Sequence, residues 1–197
     1  LTGLLVMLLS IAGIAICSLI VLHSMGKDNA ITEQLCYANG NTGCNKVLHS
    51  KAATLWNGVG LGDIGLIYFA GTALFLALSS IANIEGKALT LLFIPFTFSV
   101  LLSVVSLWYQ WKVAKSWCKM CLIVFGIVWL EAFTLLSTHI LSINPLGSLM
   151  VYALLLSSLL ICSIAWLVVK PQIMKADEAL NYEIALLKWK RDPEVFL

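Results

Sequence analysis

Apolar residues run almost unbroken through five stretches of this chain. Each is long enough to cross a bilayer as a helix, which takes about 20 such residues. The runs cover about residues 4–22, 64–84, 88–111, 118–139 and 146–169. The first carries no charge, the third has Pro95 near its start, and the fifth is expected to stop at Lys170-Pro171. The polar breaks are short: Glu85 to Lys87, Lys112 to Trp117, and Leu141 to Pro145. Breaks of that length permit only antiparallel neighbours. The pattern predicts an all-α polytopic membrane protein with five transmembrane helices, a four-helix bundle plus a fifth helix.

One segment breaks the pattern. Residues 23–61 hold Lys27, Asp28, Glu33, Asn39, Gly40, Asn41 and Gly43, then a more helical stretch from Lys46 to Trp56. Loops of this length are usually functional or disordered. Cys36, Leu55 and Trp56 argue for an ordered loop that caps the bundle. Beyond the fifth run, residues 172–197 are charged, and Leu180, Ile184 and Leu187 fall on one helical face. The expected division is a transmembrane domain over 1–170 and an amphipathic tail over 171–197. A start at Leu1, with no basic segment ahead of the first run, reads as a piece of a longer protein rather than as a signal peptide.

Composition agrees with a membrane solvent. The 197 residues are 60% hydrophobic and 11% charged, against about 25% charged in soluble domains. A net charge of +2, scattered along the chain, gives no basic surface for nucleic acid. Five crossings put the cysteine loop, the Trp117 turn and the tail on one side, and the Gly86 and Pro145 turns on the other. Lys and Arg number 11 on the cysteine side against Lys87 alone opposite. The positive-inside rule would make the cysteine side cytoplasmic. Thiol chemistry argues the reverse, because cytosolic thiols are held reduced, and lysines beside reactive cysteines have a local role. We weight the redox argument more heavily.

Six cysteines carry the candidate chemistry. Cys17 and Cys162 lie inside apolar runs, where cysteine is usually a small packing residue. Cys118 and Cys121, in Trp-Cys-Lys-Met-Cys, open the fourth helix, and a helix N-terminus stabilises thiolate. Cys36 and Cys44 enclose the Gly- and Asn-rich spacer Tyr-Ala-Asn-Gly-Asn-Thr-Gly, which suits a disulfide or a mobile thiol. Two dithiols at a bilayer edge can pass electrons between soluble thiols and something dissolved in lipid. The rival reading, from another class, is a non-catalytic membrane subunit whose cysteines are structural or bind zinc. C-x7-C with C-x2-C is not a usual zinc spacing.

These residues resemble the vitamin K epoxide reductase family, specifically its bacterial membrane homologues. The resemblance runs through the loop pair, Cys44-Asn-Lys-Val-Leu-His-Ser50, the Gly-containing start of the second helix through Tyr68, and Cys118-x-x-Cys121. It implies a quinone-linked thiol–disulfide oxidoreductase without metal, working on menaquinone or ubiquinone. Cys36 would exchange with a thioredoxin-like protein or fused domain, Cys44 would attack Cys118, and Cys121 would stand beside the quinone. Ser50 matches a serine or threonine near the active site. Phe125 stands where vertebrate members often have a tyrosine, so a quinone hydrogen bond from that position is lost. The tail from Lys188 to Phe196 resembles the approach to a thioredoxin-like domain. The implied location is the bacterial cytoplasmic membrane, with the cysteine loops facing the exterior and serving disulfide formation in exported proteins.

Glu131 lies ten residues past Cys121, about 15 Å deeper along the helix. An intramembrane acid is a functional candidate, here a proton source for quinone reduction. The alternative is a structural carboxyl bonded to Ser103, Ser106 or Thr97. His23, His49 and His139 fall at membrane edges and are expected to be solvated, with His49 a candidate proton shuttle beside Ser50. Trp108, Tyr109 and Trp111 fit an interfacial belt.

Overall fold

The structure, a computed structural model, describes residues 2–27, 32, 34, 36, 43–48, 54–56, 59–84, 88–89, 91–137 and 149–191. His49, Ser50, His139 and the turns at Gly86 and Pro145 lie outside the described residues. The elements are α1 (Thr2–Ser24), α2 (Gly43–Leu48), β1 (Thr54–Trp56), β2 (Val59–Gly60), α3 (Leu61–Ile81), α4 (Phe93–Tyr109), a π-helical turn (Gln110–Ala114), α5 (Lys119–Ser137) and α6 (Leu149–Arg191). Five helical stretches among the described residues are long and apolar enough to cross a membrane, and the protein is an all-α polytopic membrane protein.

The expected helix from Lys46 to Trp56 is not what forms. Helix α2 ends at Leu48, and Thr54–Trp56 pairs antiparallel with Val59–Gly60, Trp56 facing Val59. Thr-Leu-Trp, with a β-branched and an aromatic residue, favours a strand. The hairpin leads directly into α3, whose first turn is closed by Asp63: its carboxylate accepts the Gly60 N–H at 2.6 Å.

The fifth span also differs from expectation. It does not stop at Lys170-Pro171 but continues as one helix through Pro171 to Arg191. Proline removes one backbone hydrogen bond and crowds the carbonyl four residues before it. The residues that follow, rich in Lys, Ala, Glu and Leu, are strong helix formers and carry the helix past it.

The chain forms two compact units, Leu1–Cys162 and Ser163–Leu197. The second is helical as far as Arg191, the end of α6. In the first, α1 packs on α3 and α5, and α4 packs on α5. Small residues permit the closest approach, as in membrane helix pairs generally. A methyl group at Gly13 would lie 2.5 Å from the Phe69 ring, and one at Gly65 would lie 2.9 Å from Cys17 Sγ. One apolar cluster joins Val6, Phe75, Leu76, Leu92, Phe96, Leu135 and Leu155. A second gathers Ile20, Cys36, Cys44, Val47, Cys118, Met120 and Cys121. Large apolar side chains such as Leu8, Phe98, Val105 and Phe133 face outward, as a lipid solvent requires. Trp108, Trp111 and Trp117 are exposed near the end of α4 and the start of α5, and the Lys112 ammonium sits 4.8 Å over the Trp111 ring.

Candidate active site

Four cysteines converge from two stretches far apart in sequence. Helix α2 presents Cys44, whose sulfur is bonded to Cys36 in a disulfide spanning 5.5 Å between Cα atoms. Cys118 and Cys121 are free thiols. Cys118 Sγ lies 3.8 Å from Cys44 Sγ, and Cys36 Sγ lies 3.6 Å from Met120 Sδ. All four cysteines are buried. One sulfur of each pair therefore lies nearly in contact with one of the other.

The local backbone explains how Cys118 is aimed. The π-turn places Gln110 inside the protein, and its main-chain oxygen accepts the N–H groups of Lys115 and Ser116. Lys115 adopts φ 46°, a left-handed conformation that reverses the chain toward α5. Cys118 then occupies the N-cap position of α5. Its sulfur accepts the Cys121 N–H at 3.4 Å, the bond that a capping serine would take. Its own N–H donates to Gln110 Oε1 at 3.0 Å. Cys118 lies one residue ahead of the membrane-spanning part of α5, and its thiol is held below the ordinary value. The Cys121 thiol hydrogen-bonds to its sulfur, burial opposes this, and the N–H groups of Cys121 and Met120 add to the lowering. Gln110 is a site residue the sequence reading missed. Its Nε2 is buried without a hydrogen-bond partner among the described residues, and π-turns cluster at functional sites, but no sequence signal marks one here.

Beside Cys121 a cavity of about 490 Å³ opens between α1, α3, α4 and α5, within the size range of small-molecule sites. Cys121, Cys17, Phe125, Phe98, Tyr68 and Ser103 are among its lining residues. Its walls are predominantly apolar, with Cys121 as the one redox-pair thiol among them, so the donor set fits a ring with a lipid tail. Phe125 contributes an apolar ring where a hydroxyl would have offered a hydrogen bond. Cys17, read from sequence as helix packing, is buried against Gly65 but also faces this cavity.

Glu131 is fully buried, and its partners differ from those expected. Ser10 Oγ donates to Oε1 at 3.0 Å and Tyr68 OH donates to Oε2 at 3.3 Å. Ser103 instead accepts from Trp129 Nε1 at 3.0 Å, and Thr97 donates to the Phe93 carbonyl. Ser10 and Tyr68 lie 121 and 63 residues from Glu131, a separation that reading along one helix could not bridge. His23, expected to be solvated, is 4% exposed at the end of α1. Among the described residues no group of three or more His, Cys, Asp or Glu is disposed to hold a metal ion.

A disulfide and a dithiol nearly in contact, with one thiol opening into an apolar cavity of a membrane protein, belong to an oxidoreductase that handles electrons at the bilayer. The chain matches the model of the Vitamin K epoxide reductase family over residues 4–137. It belongs to that family, as a membrane redox protein acting on thiols and a lipid quinone. Neither curated proteins nor solved structures gave a match.

Proposed function

We propose that this protein oxidises a thioredoxin-like dithiol and passes the two electrons through both cysteine pairs to a membrane quinone, either menaquinone or ubiquinone. The observation that carries the reading is the 3.8 Å separation of Cys44 and Cys118 sulfurs, one in a disulfide and the other a thiol. The partner dithiol reduces Cys36–Cys44 and leaves as a disulfide. The Cys44 thiolate attacks Cys118 of a Cys118–Cys121 disulfide, forming a Cys44–Cys118 bond and releasing Cys121. Cys36 then attacks Cys44, restores the loop disulfide and releases Cys118. Each step is thiol–disulfide exchange, and it runs faster when the departing thiol has a low pKa, as Cys118 has.

Cys121, Phe125 and the cavity walls would hold the quinone, which accepts two electrons and two protons. Cys36 is 4% exposed and its sulfur lies 3.6 Å from Met120 Sδ, so a partner dithiol needs Cys36 uncovered before it exchanges. Ser50 and His49 are proposed to stand near the exchange site. The cysteine side faces the exterior of the cytoplasmic membrane, and the tail leads toward a thioredoxin-like domain. Trapping tests the relay: removing Cys36 or Cys121 should accumulate a Cys44–Cys118 disulfide, seen by peptide mapping. Only intrapair disulfides in every variant would contradict it.

A further inference from the structure

Tyr68 links two features that the cysteine relay leaves unused. It lines the cavity that Cys121 opens into, and its hydroxyl bonds the carboxyl group of fully buried Glu131 at 3.3 Å. The ring is held by edge-on contacts with Phe69 and Phe96, at centroid distances of 5.0 and 5.9 Å. Ser10 fixes the other carboxyl oxygen at 3.0 Å, which leaves Oε2 directed at the phenol, and this buried acid is taken as protonated. A buried acid in a membrane helix is costly unless it has a task or a full set of partners. Here two hydroxyls from two other helices, one of them also in the cavity wall, converge on it.

We propose that Tyr68 is the catalytic acid of the cavity and that Glu131, behind it, is the positioning residue that reprotonates it. This rests on the reading of the cavity as the quinone site. As the Cys118–Cys121 disulfide forms, two S–H bonds break and one S–S bond forms, and two electrons leave the sulfurs. Tyr68 gives its proton to one carbonyl oxygen of the acceptor and takes one from the Glu131 carboxyl. The Cys121 thiol gives the second proton. Cys118 loses its proton to water on becoming a thiolate, and Glu131 later regains one from water. The sum is dithiol plus quinone to disulfide plus quinol.

The test uses the purified protein in lipid nanodiscs, a short-tail quinone and the variants Tyr68→Phe, Glu131→Gln and their combination. Two readouts are independent of turnover. The first is the infrared carbonyl stretch of Glu131, assigned by its loss in Glu131→Gln. It should shift when quinone binds the oxidised protein, and that shift should vanish in Tyr68→Phe. The second is exchange between the two cysteine pairs, which should stay at the wild-type rate in all three variants and show that they are folded. Quinol formation should fall roughly ten-fold or more in each single variant, within the range general acid catalysis supplies. The double variant should be no slower than the slower single one, because both residues act on one proton. Wild-type turnover in Tyr68→Phe, or a raised KM with unchanged kcat, would overturn the proposal by making the phenol at most a binding contact. A wild-type protein that forms no quinol and shows no quinone-induced band shift would overturn the quinone reading as well.

Discussion

Cys118 concentrates the residue-scale chemistry, because one sulfur is at once helix cap, neighbour of the opposite pair and, in the proposed relay, leaving group. Its thiol is depressed first by the Cys121 hydrogen bond. The thiolate is therefore present above a pKa lower than the ordinary thiol value of about 8.5, and is lost only as pH falls through that lowered value. Replacing Cys121 by alanine removes the first cause, so in a background with Cys36 and Cys44 also replaced by alanine, where Cys118 cannot be captured in a disulfide, Cys118 should titrate at higher pH. The ultraviolet absorbance of the thiolate, followed against pH in that background with and without Cys121, checks this. An unchanged titration would mean that the backbone N–H groups alone set the value. The cysteines themselves were legible in the sequence, since their spacing and polar flanks stand out from the apolar runs. Glu131 was legible as an anomaly but not its partners, because Ser10 and Tyr68 meet it only through the crossing of three helices.

At the scale of elements, the π-turn and the α1–α3 crossing do what helix propensity alone would not. Gln110 accepts the Cys118 N–H and holds in the interior an amide nitrogen with no hydrogen-bond partner among the described residues. Gln110→Leu should slow exchange between the pairs several-fold. Its effect on melting temperature should be small, since the loss of an unsatisfied donor, worth about 1–3 kcal/mol, offsets the lost bond. Stopped-flow alkylation of the exchange products measures the first effect and thermal unfolding the second. An unchanged exchange rate would remove Gln110 from the site. Gly13→Val tests the crossing. A side chain forced against Phe69 should cost about 1–3 kcal/mol, as overpacking does, and lower the melting temperature; equal stability would show that α1 can step aside. Apolar run lengths announced the five spans. They could not announce the helix through Pro171, where the propensity of the following residues outweighs one proline, nor the strand at Thr54–Trp56, where β-favouring side chains outweigh a helical pattern.

For the whole molecule the feature to test is the compartment that the cysteine pairs face. Lysines crowd that side, so the positive-inside rule and the redox chemistry oppose each other. With the exterior assignment, a Lys112→Cys variant in intact cells should react with a membrane-impermeant maleimide, whereas Asn83→Cys should react only after the membrane is opened. The reverse pattern would put both cysteine pairs in the cytoplasm. Charge counting could not decide this, because Lys112, Lys115 and Lys119 lie close enough to Cys118 in sequence to be read equally as orienting charges or as part of the site.

The central claim is that Cys121 is the last station before the quinone. The most direct measurement compares wild type with Cys121→Ser in lipid nanodiscs, given dithiothreitol and a short-tail quinone, and follows quinol formation and the state of each cysteine pair together. Wild type should form quinol. Cys121→Ser should form none while Cys36–Cys44 still exchanges with the dithiol, because only the final transfer is removed. Full quinol formation by Cys121→Ser would contradict the account.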